Sequence, residues 1–542
     1  MNGPFSAALV QRTESGWRAA LAMLAVQWPL WLAVAIPTIV WMLQRDIGLS
    51  LIDEGFVWYG AQRVLAGEVP LRDFQAYDIG RYYWYAGWMA VMDSTGILPV
   101  RAGSTVLAAI TTAIAVALVR GAGRQGAVAT VLAAVTFALW LVPYFKVADS
   151  FAAVLLLAGM ARLLKAPGAR SSFAYGLCLG VAATVGINHA LYGVAAGMLA
   201  FACLCWNERR IPRLRTALAV ALGTTVGYLP VLTFVLFEPG FATAFVDSVR
   251  LLLETGTTNL ELAMPDLRSP WRATSGWTFL VGLQAALMGI AFIAIPLFLL
   301  VSGWQVWRLR ASPSRAAHPA FVAALLLSIP YAHYAYSRYD VSHLAISALP
   351  LMLAVWTFPG PRPVVFRTVV LALVTLVTLL VAGPDHAFFK TVRSTPLQPV
   401  VVAGETLRVP GGTAAELRLL DETARAHATA PRSLYVVPYW PGAYAVLGRR
   451  SPTWEIYLIF PFSERRQRLE IGRLVAADVG LALVSRSSMD GRADLGLEQT
   501  HPLIARYLRQ CLVLQRDYAS PVSGVDVLVG RRPGCTMASS AP

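Results

Sequence analysis

The sequence predicts an α-helical polytopic membrane protein of about eleven transmembrane helices, closed by an α/β domain outside the membrane. Three observations lead there. Apolar residues make up 57% of the 542 residues, and most of them fall in runs long enough to cross ~30 Å of hydrocarbon. Charged residues are only 14%, against ~25% in soluble domains. Basic residues gather in short clusters between the apolar runs, which is how cytoplasmic loops orient a polytopic chain. A mean hydropathy of +0.58 excludes a disordered chain.

The net charge of +15 would suit a nucleic-acid partner, but its placement argues for topology instead. The clusters are Arg120 and Arg124; Arg162, Lys165 and Arg170; Arg209, Arg210, Arg213 and Arg215; Arg308, Arg310 and Arg315; Arg362 and Arg367. The partner they imply is membrane lipid, with no nucleic acid.

The first apolar run, 19–43, follows Arg12 and Arg18. It is too long for a signal-peptide core and lacks a small-residue cleavage site, so it reads as a retained span with a cytoplasmic N-terminus. An outer loop, 44–101, comes next. Its polar part, 44–81, carries Asp46, Asp53, Glu54, Glu68, Asp73 and Asp78 among many aromatics. The apolar stretch 82–98 reads as interfacial or re-entrant, because a full span there would invert the charge rule for every later loop.

Further spans are expected at 103–119, 126–145, 150–164, 173–188, 190–206, 216–237, 276–302, 319–336, 341–357 and 367–383. With that count each basic cluster lies inside, while the loop acids, Asp149, Glu238, Asp247, Glu254, Glu261, Asp266 and Asp340 lie outside. The membrane domain is then 1–383. An odd number of spans puts residues 384–542 outside, and high Ala, Arg and Leu usage points to a GC-rich bacterium, so this part reads as a periplasmic α/β domain of an inner-membrane protein. Its expected helices are 413–427, 464–477 and 500–510, and its strands 433–437, 480–485, 512–516 and 525–530. Cys511 and Cys535 would face each other across the last two strands, where a disulfide needs an oxidising compartment. Cys178, Cys203 and Cys205 lie in apolar runs and read as core.

Paired carboxylates just past a span must face water or a polar cavity. Asp53-Glu54 can serve as a general base or simply start a helix from Gly55 to Ala66. The segment DEGFVWYGAQRVLAGEVPLRDFQAYDIGRYYW resembles the first periplasmic loop of the GT-C superfamily of polyprenyl-phosphate-dependent glycosyltransferases, to which protein O-mannosyltransferases and the lipid A aminoarabinose transferase belong. The matching elements are Asp53-Glu54-Gly55, the helix with Gln62-Arg63, the turn Ala66-Gly67-Glu68-Val69-Pro70, Arg72-Asp73-Phe74 and the aromatic run Tyr82-Tyr83-Trp84. Many relatives place a Pro-Pro turn where this chain has Asp78-Ile79-Gly80-Arg81.

The resemblance implies an inverting transfer of a sugar from a polyprenyl-phosphate donor to a glycan, lipid or protein acceptor of the cell envelope. Asp53 would be the base, with Glu54 and Asp149 as further catalytic acids. It implies a phosphate site drawn from Arg338, His343, Lys146, Arg81, Tyr82 and His189. Arg338 is suited to it because a guanidinium presents a planar fork of donors. Bland readings stand beside these roles. Lys146 and Asp149 can be an interfacial pair, His189 can be structural, Arg81 can snorkel, and Tyr331, His333, Tyr334 and Tyr336 can form an interfacial belt. No resident cofactor or metal is expected beyond the lipid-linked co-substrate, although some relatives use a divalent metal. A polytopic transporter or flippase of an envelope precursor is the competing function, and a catalytically silent assembly subunit a third.

Overall fold

The computed structural model describes residues 27–123, 126–208, 214–256, 259–309, 318–360, 363–392, 396–429, 431–486, 489–515, 524–532 and 535. Arg124, Arg209, Arg210, Arg213, Arg310, Arg315 and Arg362, expected on the cytoplasmic side, and the start of the first expected span lie outside the described residues.

The membrane region is a bundle of helices: α1 (27–44), α2 (Asp53–Leu65), α3 (Ile79–Met92), α4 (Leu98–Gly121), α5 (Ala127–Leu139), α6 (Val147–Lys165), α7 (Ala169–Val185), α8 (Ile187–Glu208), α9 (Leu214–Gly227), α10 (Leu229–Phe237), α11 (Phe241–Thr255), α12 (Gly276–Leu309), α13 (Pro319–Ser337), α14 (Val341–Trp356), α15 (Val364–Val381) and the short α16 (Ala387–Val392). Every stretch expected as a span is largely helical. Among the described residues six helices are long and apolar enough to cross a membrane, and a seventh if α9 and α10, bent by 65°, form one broken span. The helices α5 and α14 are apolar but shorter.

Two local differences have plain causes. The expected span 126–145 stops at Leu139, and a single 3-10 turn, Tyr144–Lys146, leads into α6. Pro143 sits in that gap and cannot donate to a continuing helix. The stretch 82–98 supplies α3, which ends at Asp93 in a left-handed conformation (φ 48°). A helix of 14 residues rises only ~21 Å, too little to cross.

Hydroxyls inside α4 return to their own backbone, with Ser104 donating to the Val100 carbonyl at 3.0 Å and Thr112 to Ala108 at 2.8 Å. This satisfies them where no water is at hand. The contact between α7 and α9 is made by two small-residue pairs. A Cβ added at Gly176 would lie 2.1 Å from the Val220 carbonyl oxygen, and one at Gly223 would lie 2.1 Å from that of Phe173. With Gly180 and Gly227 one turn on, backbone meets backbone, the packing that small residues four apart permit in hydrocarbon.

The C-terminal domain holds a hairpin, β1 (Gln398–Val402) and β2 (Glu405–Val409), and a four-stranded sheet in the order β3-β4-β6-β5. Its strands are β3 (Ser433–Val437), β4 (Val479–Ser485), β5 (Leu512–Leu514) and β6 (Val525–Arg531). β3 and β4 run parallel, and the other pairs antiparallel. Side chains alternate across the pleat. Leu434, Val436, Leu481, Leu483, Val527 and Val529 face one core, while Tyr435, Val437, Ala482 and Leu528 face another, beside the helices α19 (Glu464–Ala476) and α21 (Pro502–Cys511). The remaining helices are α17 (Gly411–His427), α18 (Gly442–Leu447) and α20 (Leu497–Thr500). Cys511 and Cys535 are bridged, with Cα atoms 5.3 Å apart.

The first of those cores also contains Phe56, Tyr59, Phe74 and Tyr82 from the outer loop. The boundary expected at 383/384 therefore separates residues that share one core. Backbone meets backbone at Gly55 and Gly442, where a Cβ added to Gly55 would lie 2.5 Å from the Gly442 Cα.

A candidate active site between the outer loop and the α/β domain

The helix α2 begins with the two carboxylates in its first turn, where the helix dipole favours anions. Their fates differ. Glu54 is buried, and Arg101 of α4 donates to it twice, Nε to Oε1 and Nη2 to Oε2, each at 2.8 Å. Both oxygens are engaged by that fork. Asp53 is exposed. Its Oδ1 accepts a hydrogen bond from the Tyr457 hydroxyl at 3.0 Å, and among the described residues no donor reaches its other oxygen.

Asp149 occupies the first turn of α6 and is buried. Arg81 donates to its Oδ1 at 3.0 Å, and His189 Nε2 lies 2.9 Å from the same atom. His189 Nδ1 in turn lies 2.8 Å from the Tyr331 hydroxyl. Two buried polar atoms in this cluster, Asp149 Oδ2 and Arg81 Nε, have no partner among the described residues. Lys146, half-buried just before α6, lies over the Phe145 ring at 5.9 Å and forms no salt bridge with a described carboxylate. It is the uncommitted cation beside Asp149.

The second arm is the junction of α13 and α14. Asp340 caps α14, accepting from the His343 backbone N–H at 2.8 Å, with His343 Nδ1 also at 2.8 Å. Burial alone would raise the Asp340 carboxyl, but hydrogen bonds from His343 and Arg338 bring it down to about 2. Arg338 donates through Nε to Asp340, through Nη1 to the Leu260 carbonyl at 3.1 Å, and through Nη1 and Nη2 to Asp490 at 2.7 and 2.9 Å. Its fork, expected on a phosphate, is here committed to two carboxylates, one from the α/β domain. The Tyr334 ring connects the arms, 5.7 Å from His189 and 6.3 Å from His343.

Tyr82 does not line this region. It is fully buried, wedged against Gly60 and packed on Phe56 and Phe74. Its ring belongs to the shared core, and its buried hydroxyl has no partner among the described residues. The remaining expected residues lie in one connected region. Tyr77 has Asp53 and Arg81 as charged neighbours, and Tyr457 has Asp53 and Arg338. Of these neighbours, Tyr457 touches Asp53 directly. Sequence reasoning missed Arg101, Tyr457, Gln75 and Asp490. Arg101 alone carried a signal, as a charge at the start of an apolar run that has to find a partner. Among the described residues no group of three or more His, Cys, Asp or Glu is placed to hold a metal.

No family model matches the sequence, and no curated protein matches it. Solved structures do. ArnT from Cupriavidus metallidurans in the apo state aligns with a TM-score of 0.52 at 15% identity, covering 93% of this chain and 98% of that one. The same protein bound to undecaprenyl phosphate aligns at 0.50 and 14%, covering 92% and 97%. The apo oligosaccharyltransferase of Archaeoglobus fulgidus aligns at 0.48 and 13%, covering 93% of this chain and 74% of that one. The likeness to ArnT is one of fold, a helical membrane region followed by a small sheet domain, over nearly the whole of both chains.

Proposed function

We propose that this chain, built on the GT-C fold it shares with ArnT, moves a sugar from a polyprenyl-phosphate donor to a cell-envelope acceptor outside the membrane, with inversion. The observation that carries the proposal is the split between neighbouring carboxylates. Glu54 is locked by Arg101, while Asp53 stays exposed with one oxygen free.

In this reading Asp53 takes the proton from an acceptor hydroxyl. That oxygen attacks the anomeric carbon from the face opposite the lipid phosphate, the C–O bond to phosphate breaks, and the phosphate leaves with the electron pair. Lys146 is the first candidate to meet the growing negative charge, and Arg81 through its unpartnered Nε is the second. Preorganised charge of this kind is usually the largest catalytic contribution. Arg338 and His343 serve the same phosphate only if Arg338 lets go of Asp490. His189 and Asp149 hold Arg81 in place. The lipid-linked sugar is the co-substrate, with no resident cofactor. The N-terminus would be cytoplasmic and the α/β domain periplasmic, in a bacterial inner membrane.

The test is turnover of purified full-length protein in detergent with undecaprenyl-phosphate-linked sugars. Unchanged turnover in Asp53→Asn removes Asp53 from the role, and an unchanged donor KM in Arg338→Ala removes Arg338 from the phosphate. Activity seen only in sealed vesicles would mark a transporter. Mass spectrometry of envelope glycans and lipids with and without the gene identifies the sugar and its acceptor.

A further inference from the structure

We propose that Tyr457 of the α/β domain is a positioning residue for Asp53: its hydroxyl holds Oδ1 and leaves Oδ2 as the oxygen that takes the acceptor proton. The inference rests on the reading of Asp53 as the base.

An exposed aspartate turns freely about two side-chain torsions and presents four lone-pair directions. Here an exposed carboxylate meets a buried donor. Tyr457 is only 6% exposed, and its ring packs on Phe56 at 5.6 Å, one turn after Asp53 on the same helix. The phenol therefore cannot swing without unpacking α2.

Its backbone is fixed as tightly. Gln75 Oε1 accepts from the N–H groups of both Ile456 and Tyr457 at 3.0 Å. The Gln75 N–H donates to the Trp454 carbonyl at 2.9 Å, and Trp454 Nε1 donates to Leu71 at 2.9 Å. On the other side, the Leu458 N–H donates to Pro438 at 3.0 Å. The segment is stapled to the outer loop just ahead of Tyr457 and to its own domain just after it.

Burial pushes the Tyr457 hydroxyl well above its ordinary value, as does the nearby Asp53 charge. The phenol stays protonated at working pH, always a donor and never a rival base. The other charged or titratable groups around the pair are Tyr77 and Arg81 from the loop and α3, Arg338 from the α13–α14 junction, and Glu54 with Arg101 behind α2. None of them donates to Asp53. Tyr457 is thus the one donor on Asp53 among the described residues, and it comes from a different domain.

The experiment uses Tyr457→Phe and Gln75→Ala in the full-length protein, with two readouts. The first needs no substrate: carbodiimide labelling of Asp53, followed by peptide mass spectrometry between pH 4 and 8. Releasing Oδ1 from the phenol leaves both carboxylate oxygens open to the reagent, so labelling of Asp53 in Tyr457→Phe should rise about twofold or more over the parent, with Gln75→Ala moving the same way. The second is turnover with an undecaprenyl-phosphate-linked sugar that the parent uses. Here kcat should fall about tenfold with KM values within about twofold, because a misplaced base costs rate and not binding. In an Asp53→Asn background, Tyr457→Phe should cost nothing further, whereas a merely structural residue would still cost. Labelling and kcat unchanged in both variants would overturn the inference. If Asp53→Asn keeps full turnover, the base reading fails instead, whatever the labelling shows. Should Tyr457→Phe not fold, Gln75→Ala decides by the same two measurements.

Discussion

Arg101 meets Glu54 with two parallel hydrogen bonds of 2.8 Å and spends its remaining donors on the backbone that leads into α2. Nη1 reaches the Arg45 carbonyl at 2.7 Å and Nη2 the Gly48 carbonyl at 2.8 Å. One residue at the start of a membrane helix thus fixes both the turn that ends α1 and the first turn of α2, and with it the place of Asp53. Removing one partner of a buried pair strands the other, at a cost of ~3–5 kcal/mol. Arg101→Ala should therefore lose several degrees of Tm in detergent. Replacing both residues, Arg101→Met with Glu54→Leu, should lose much less.

In the proposed mechanism Asp53→Asn removes the base. We expect kcat to fall ~10²–10⁴-fold. Because Asp53 is exposed, Tm should stay close to that of the parent, so the loss cannot be put down to unfolding.

Lys146→Ala should raise the donor KM about tenfold or more, the loss of roughly one charge-assisted contact to phosphate. Lys146→Arg should recover most of it. Titration with undecaprenyl phosphate, followed by the shift in Tm, gives the same ranking without the sugar.

The junction of α13 and α14 should be acid-sensitive. Asp340 has its pKa near 2 in the folded protein against an ordinary 3.8. Its stabilisation is full above the ordinary value and is lost as pH falls through the lower one. The difference is worth ~2 kcal/mol. Tm measured from pH 6 to pH 2 should drop in the parent and drop less in Asp340→Asn, which starts lower.

Gly55→Ala and Gly442→Ala test how closely the outer loop and the α/β domain meet. An added Cβ would lie 2.5 Å from the partner Cα in the first case and 2.9 Å in the second. Backbone facing backbone cannot yield cheaply, so each should cost ~1–3 kcal/mol, read as Tm and as faster proteolytic release of the α/β domain.

The fold was largely legible in the sequence because the forces that set it are local or periodic. A long run of apolar residues becomes a helix in lipid, since a helix satisfies a single segment's backbone from within. The short β-like runs 433–437 and 525–530 marked strands, and Cys511 and Cys535 marked the hairpin that the bridge closes. Asp53-Glu54 could be singled out because charge next to hydrocarbon demands a reason.

What the tertiary structure alone decided is which of those charges is free. Glu54 and Asp53 are neighbours of the same kind, and nothing in their order tells which one Arg101 takes, 47 positions away from Glu54. Tyr457 stands 404 positions beyond Asp53 and Asp490 stands 152 beyond Arg338. A hydrogen bond acts over about 3 Å and carries no period along the chain. Its partners are named only when packing brings two distant segments to one place.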